Sequence, residues 1–186
     1  MENILIRMPN WLGDFVMATA CLPEVRRHYP DARITVMCKA PFADLVAKDP
    51  NVDAVFPVTS SRDKTIIPRL REGRYDLGIL LTNSFSSAWH LWRGRVKERI
   101  GYTSHFRSLL LTKKIPPPDD YATRHQVLSY LYLLSSYGIS ISEAPEPYLC
   151  ITDKDKAAVA AFFSSRGLSS EKRVIGINPG AQYGSA

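Results

Sequence analysis

The amino-acid sequence predicts an α/β protein with a doubly wound parallel sheet, and three observations carry that reading. Apolar runs of strand length recur at Asn3 to Arg7, Ile34 to Cys38 and Ala54 to Val58. The segments between them carry helix-start signals. A further run, Gly78-Ile79-Leu80-Leu81, is continuously apolar, as suits a strand buried on both faces. The resulting βαβαβ alternation is that of a Rossmann-like sheet.

Each element has a local reason. The first run ends in Met8-Pro9-Asn10-Trp11-Leu12-Gly13-Asp14, after which Phe15, Val16, Met17, Cys21, Leu22 and Val25 predict one long amphipathic helix. Pro41 suits the first turn of a helix reaching Val46. Residues 62–72 predict a crossover helix in which Pro68 threatens a break or kink. Asn83-Ser84-Phe85-Ser86-Ser87 leads into an aromatic-rich helical stretch, Ala88 to Trp92, and Arg99-Ile100-Gly101-Tyr102 predicts a short strand. Pro116-Pro117-Pro118 stiffens the approach to a helix from Thr123 to Tyr137, which Gly138 ends. A last helix, Asp153 to Arg166, takes Thr152 as N-cap and Gly167 as stop. Arg173 to Ala181 reads as a buried strand entering a glycine-containing phosphate-type turn, but the sequence stops at Ala186 before the helix that such a turn feeds. The expectation is a first domain over residues 1–170 and the truncated beginning of a second over residues 171–186.

Composition narrows the class. A hydrophobic share of 45% suffices for a core, and 23% charged residues fit a folded globular chain rather than a disordered one. No stretch approaches the ~20 apolar residues of a membrane span. A polar turn interrupts the N-terminal apolar run too early for a secretory signal, so a cytoplasmic location is expected. Cys21, Cys38 and Cys150 are odd in number and widely spaced, which predicts buried thiols rather than disulfides or a zinc site. His28, His90 and His105 show no ligand spacing, and no metal site is predicted. The net charge of +6 favours an acidic partner, whether nucleic acid, anionic lipid or a phosphorylated substrate.

Candidate chemistry concentrates at strand ends, because open α/β sheets bind ligands beyond the carboxyl ends of their strands. Asp14, on the first such turn, is either a helix-start carboxylate facing exposed amides or a general base within about 3 Å of an acceptor hydroxyl. Gly13 beside it allows a tight turn or a close ligand approach. Asn83, Ser84 and Ser86 follow a strand and either face the same edge or cap the next helix. Between Arg62 and Lys114, basic residues far outnumber Asp63, Glu72, Asp76 and Glu98. They form a solvated face or, as a group that includes Arg62, Lys64 and Arg107, a phosphate-binding one. Trp89 and Trp92, at helical i, i+3 spacing, belong to a core or stack on a ligand. His125 either contacts a ligand or caps a helix.

Three readings compete. A dehydrogenase or methyltransferase needs a Gly-x-Gly-x-x-Gly turn, whereas the first turn has one glycine. A non-catalytic RNA-binding module would use the basic region with Trp89, Trp92 and Tyr102, but carries no RNA-binding signature. The third reading rests on motifs in order: Trp11-Leu12-Gly13-Asp14 after the first strand, Leu80 to Ala88, Arg99 to Tyr102 leading to Arg107-Ser108-Leu109-Leu110, and Asn178-Pro179-Gly180-Ala181-Gln182-Tyr183-Gly184. In that order they resemble the lipopolysaccharide heptosyltransferases along nearly the whole chain, with heptosyltransferase II the nearest branch.

The resemblance implies the N-terminal, acceptor-binding half of an inverting GT-B glycosyltransferase. It carries the role of catalytic base onto Asp14, acceptor binding onto Trp11, Gly13, Arg62, Lys64, Asn83, Ser84, Arg107 and His125, and donor-phosphate binding onto Gly180 and Ala181. The implied donor is ADP-L-glycero-D-manno-heptose and the acceptor is the heptosylated inner core on lipid A. No cofactor, no metal and no nucleic acid are expected. The implied location is the cytoplasm, peripheral to the inner membrane. A Lys-containing donor motif that follows in the family lies beyond Ala186, so this chain alone is expected not to transfer heptose.

Overall fold

The computed structural model describes residues 1–168 and 173–177, and they fall into two compact units, Met1–Cys150 and Ile151–Ala186. In the first unit six strands form one sheet: β1 (Asn3–Arg7), β2 (Arg33–Lys39), β3 (Ala54–Val58), β4 (Leu77–Leu80), β5 (Glu98–Tyr102) and β6 (Lys113–Ile115). Their order is β3-β2-β1-β4-β5-β6 and every pairing is parallel. Interleaved helices are α1 (Leu12–Ala18), α2 (Cys21–His28), α3 (Ala43–Val46), α4 (Ile66–Gly73), α5 (Phe85–Arg93) and α6 (Gln126–Tyr137).

Both faces of the sheet are covered, which explains the uninterrupted apolar strands. Ile4, Ile6 and Met8 enter a core shared with Phe15, Leu22, Val25 and Leu134, so α1, α2 and α6 lie on one face. Leu5 and Leu80 enter a second core with Ile66, Leu70 and Leu91, so α4 and α5 lie on the other. Each such fully buried aliphatic side chain contributes on the order of 1.5–3 kcal/mol by leaving water.

Several elements differ from the sequence reading. The single long helix after the first turn is two helices, α1 and α2, broken at Thr19-Ala20. Pro23 has no N–H to offer the Thr19 carbonyl, which instead accepts from Leu22 at 2.9 Å. The Thr19 hydroxyl accepts from the Tyr148 N–H, also at 2.9 Å. Pro68 causes no kink, because it falls in the first turn of α4, where an N–H would have no intrahelical partner. Pro41 sits in a 3-10 turn, Ala40–Phe42, that leads into a short α3. Helix α5 begins at Phe85, earlier than expected, because Ser84 caps it. Helix α6 begins later, at Gln126, because residues 120–124 form a separate turn closed on the Asp120 carbonyl. Gly138 ends α6 with a φ of 109°, a conformation that favours glycine.

Strand β6 escaped the sequence reading. It has three residues, two of them exposed lysines, and its signal is too short to register. Lysines at an open sheet edge discourage pairing with another chain. Cys21 and Cys38 are buried as expected, and Cys150 is half-buried.

In the second unit, α7 (Asp153–Ser164) begins with a reciprocal capping box between Thr152 and Asp155. The buried strand expected from Arg173 onward is not found over residues 173–177, which are irregular and exposed. Asn178 to Ala181 lie outside the described residues.

Candidate active site

The order β3-β2-β1-β4 reverses direction between β1 and β4, and the crevice at such a switch point is where doubly wound sheets bind ligands. The loop after β1 supplies Pro9, Asn10, Trp11 and Asp14 to a cavity of about 280 Å³; the loop after β4 supplies Leu81, Thr82 and Asn83; Tyr121, Gln126 and Tyr130 form the wall on the α6 side. Packing of α6 on α1 brings these distant segments together.

Asp14 is the third residue of α1, half-buried, within the first turn, where the helix dipole favours a negative charge. Trp11 occupies the N-cap position and provides no side-chain cap. The Asp14 carboxylate accepts no hydrogen bond and enters no ion pair among the described residues, so its oxygens are uncommitted. Tyr130 stands in its electrostatic reach. Burial, with the charge of Asp14 adding, pushes the Tyr130 phenol up, while a hydrogen bond with Gln126 opposes the shift. The phenol therefore stays protonated at neutral pH and is available as a donor rather than a second base.

The other candidate residues separate by position. Trp11 is exposed and lies on the cavity rim, with the Lys39 ammonium 5.4 Å from its ring centre. A side chain at Gly13 would meet nothing within 4 Å, and its backbone is not left-handed, so neither packing nor backbone conformation requires glycine there. Asn83 lines the cavity and donates its side-chain amide to the Tyr121 hydroxyl at 2.8 Å. Ser84 instead caps α5, accepting from Ser87 N–H at 3.3 Å.

Arg62 and Lys64 are exposed in the segment after β3 and line none of these walls. His125 is the N-cap residue of α6 without a side-chain cap and borders a shallow depression with Arg124 and Tyr132. Arg107 is only 2% exposed. Its guanidinium donates to the carbonyls of Thr82, at 2.8 Å, and Tyr102. Desolvation lowers its pKa to about 10, which leaves it charged at neutral pH. Arg107 thus braces the ends of β4 and β5 from inside. Gly180 and Ala181 lie outside the described residues.

Asn10, Tyr121, Gln126 and Tyr130 were missed by sequence reasoning. Gln126 and Tyr130, one helical turn apart at the start of α6, offered a faint signal as two polar groups on one face. Tyr121 and Asn10 offered none.

Residues 64–186 match glycosyltransferase family 9 (heptosyltransferase). The chain belongs to that family. Among family 9 relatives, it is 31% identical to lipopolysaccharide heptosyltransferase 2 of Escherichia coli, over 99% of this chain and 56% of that protein. It is 29% identical to lipopolysaccharide heptosyltransferase 2 of Salmonella typhimurium over the same shares. The solved structure of E. coli ADP-heptose LPS heptosyltransferase II superposes with a TM-score of 0.80 at 30% identity, covering 99% of this chain and 56% of that one. A family 9 glycosyltransferase from Veillonella parvula shares the fold with a TM-score of 0.78 at 21% identity, over 91% of this chain and 50% of that one. The chain therefore spans little more than half the length of these two heptosyltransferase 2 relatives.

Proposed function

We propose that this chain is the acceptor-binding half of an inverting heptosyltransferase in which Asp14 is the general base. The observation that carries the reading is the uncommitted Asp14 carboxylate at the switch-point cavity. The proposed donor is ADP-L-glycero-D-manno-heptose and the proposed acceptor is a heptose already on the lipopolysaccharide inner core. Neither the dehydrogenase-type nor the RNA-binding alternative is supported by the family match.

In this mechanism an acceptor hydroxyl enters the cavity and donates to Asp14. As its oxygen attacks the anomeric carbon from the face opposite ADP, the C–O bond to ADP breaks and Asp14 takes the hydroxyl proton. One displacement inverts the centre, so no covalent enzyme intermediate is needed. Protonated Tyr130 and the Asn83 amide, held by Tyr121, orient neighbouring acceptor hydroxyls. Arg62, Lys64 and His125 face acceptor groups further out, and Gly180 and Ala181 serve the donor phosphates. Since the relatives are nearly twice as long, residues 1–186 alone are proposed to bind acceptor without turning over.

A location at the cytoplasmic membrane face is also proposed. No helix of the described residues is long and apolar enough to cross a membrane. Helix α5 instead exposes Phe85, Trp89 and Trp92 in one contiguous aromatic row, with the Arg93 guanidinium 5.6 Å from the Trp89 ring centre. Arg71, also exposed, reaches the Arg93 carbonyl. Aromatic rings fringed by arginine suit an anionic bilayer surface.

The test is ADP release from ADP-heptose by a chain extended to the length of its relatives, with a monoheptosylated acceptor and a heptose-free control. Asp14→Ala is expected to lose about 10²–10⁴-fold in rate, the usual worth of a general base, with an unchanged circular dichroism spectrum. Transfer that persists in Asp14→Ala would refute the role of base. Equal transfer to both acceptors would refute the assignment of acceptor.

A further inference from the structure

A second cavity, of about 160 Å³, opens at the same sheet edge between the ends of β1, β2 and β3 and the start of α5. Its walls include Arg7, Lys39, His90, Ser60, Ser86 and Ser87, and no carboxylate lines it. We infer that it is a binding site for a phosphoryl group, held by Arg7 and Lys39 with hydroxyl and amide donors from Ser60 and Ser86.

The central observation is the unneutralised guanidinium of Arg7. The residue is 8% exposed. Its Nη1 donates to the Met8 carbonyl at 2.5 Å and the Met37 carbonyl at 3.4 Å, and its Nη2 donates to Asn10 Oδ1 at 2.7 Å. All three partners are neutral. A buried charge ordinarily has an opposite charge beside it, because neutral dipoles only partly replace lost hydration. Desolvation brings Arg7 down to about 10, so it remains a cation at neutral pH. Burial lowers His90, a hydrogen bond to the Ser61 backbone opposes that, and repulsion from the Arg7 charge adds to the lowering, so the Arg7 field reaches the cavity wall.

Two further features fit the same ligand. Ser86 and Ser87, in the first turn of α5, line this cavity, and the Ser84 cap takes up only the Ser87 N–H there; a helix start favours anions. Lys39 supplies a compact ammonium at the end of β2, while Arg7 supplies a planar fork; phosphoryl oxygens accept from both kinds of donor.

Asn10 lines this cavity and also the Asp14 cavity. An acceptor whose hydroxyl meets Asp14 would therefore place a phosphoryl substituent beside Arg7. This last step rests on the proposed function; the phosphoryl site itself does not.

The probe is inorganic phosphate, titrated into the ¹⁵N-labelled 186-residue chain at constant ionic strength. Saturable millimolar shifts of the Ser60, Ser61, Ser86, Ser87 and His90 amides are expected, with no response to matched chloride. Arg7→Met is expected to weaken binding at least tenfold. Because that change also strips the Met8 and Met37 carbonyls of a donor, the Lys39→Met, His90→Gln pair is the second variant, also expected to lose at least tenfold. Shifts equalled by chloride, or unaltered in a folded Arg7→Met protein or in the pair, would overturn the site. Acetate binding as tightly as phosphate would overturn the phosphoryl assignment. No heptose donor is present, so failure of transfer in the extended chain and failure of phosphate binding are separate results.

Discussion

Arg7 donates to the side-chain oxygen of Asn10 at 2.7 Å, and through that contact the buried cation of one cavity touches a wall shared with the carboxylate of the other. Asn10→Asp would turn the neutral partner of Arg7 into an anion and supply the countercharge from within. Phosphate affinity of the 186-residue chain, followed by amide shifts, is expected to fall about tenfold, while thermal stability holds or rises. An unchanged affinity would show that the Arg7 charge is not what attracts the anion.

Arg107 is a second buried arginine with neutral partners, but it lines neither cavity. Its guanidinium serves the Thr82 and Tyr102 carbonyls, and its Nη2 lies where a side chain on Gly101 would stand, 2.6 Å from the position of a Cβ there. Arg107→Met leaves two carbonyls short of a donor at a cost of about 2 kcal/mol. For a domain of this size that lowers Tm by roughly 4–8 °C in a calorimetric scan. A variant with wild-type Tm but weakened acceptor binding would return Arg107 to the role of acceptor ligand.

Asp76 ties the start of the sheet together by accepting from the Glu2 and Asn3 N–H groups and pairing with Lys97 at 2.8 Å. The Lys97 hydrogen bond, followed by the two backbone donors, lowers its pKa from 3.8 to about 2. A depressed carboxyl contributes stability that is full above its unfolded value and lost as pH falls through the folded one. Because Lys97 is exposed, the contribution is about 1–2 kcal/mol after screening. Urea midpoints of wild type and Asp76→Asn are expected to differ at pH 6 and to draw together as pH falls from 4 to 2; a gap undiminished at pH 2 contradicts this.

The aromatic row of α5 has a direct physical consequence for surfaces. Co-sedimentation with vesicles containing anionic lipid is expected to drop at least fivefold in Trp89→Ser, Trp92→Ser, and to weaken in high salt, where the arginine contribution is screened. Neutral vesicles are expected to bind less. Equal sedimentation of the variant and wild type would remove the membrane reading without touching the Asp14 chemistry.

Much of this was legible along the chain, and the reason is locality. Strands β1 to β4 announced themselves as apolar runs and β5 as a short strand signal, Thr152 and Gly138 marked helix ends through their own side chains and backbone freedom, and the turn after β1 placed Asp14 at a strand end. The helix break at Thr19 was also written locally, in Pro23, although the apolar periodicity concealed it.

By itself the sequence determined the α/β class, the parallel sheet and the position of a carboxylate on its first turn, because periodicity and turn chemistry act over a few residues. Only the tertiary structure decided which side chains meet that carboxylate. The crossing from β1 to β4 and the return of α6 set Asn83, Tyr121, Gln126 and Tyr130 around Asp14. It also sorted the arginines, since charge in a sequence carries no record of what surrounds it. Arg107 and Arg7 both hold buried charges on neutral partners, but Arg7, on the first strand and outside the basic region, lines a cavity, whereas Arg107 lines neither of the two described. Contacts made between segments far apart in the chain, where desolvation and partners are settled together, fixed those roles.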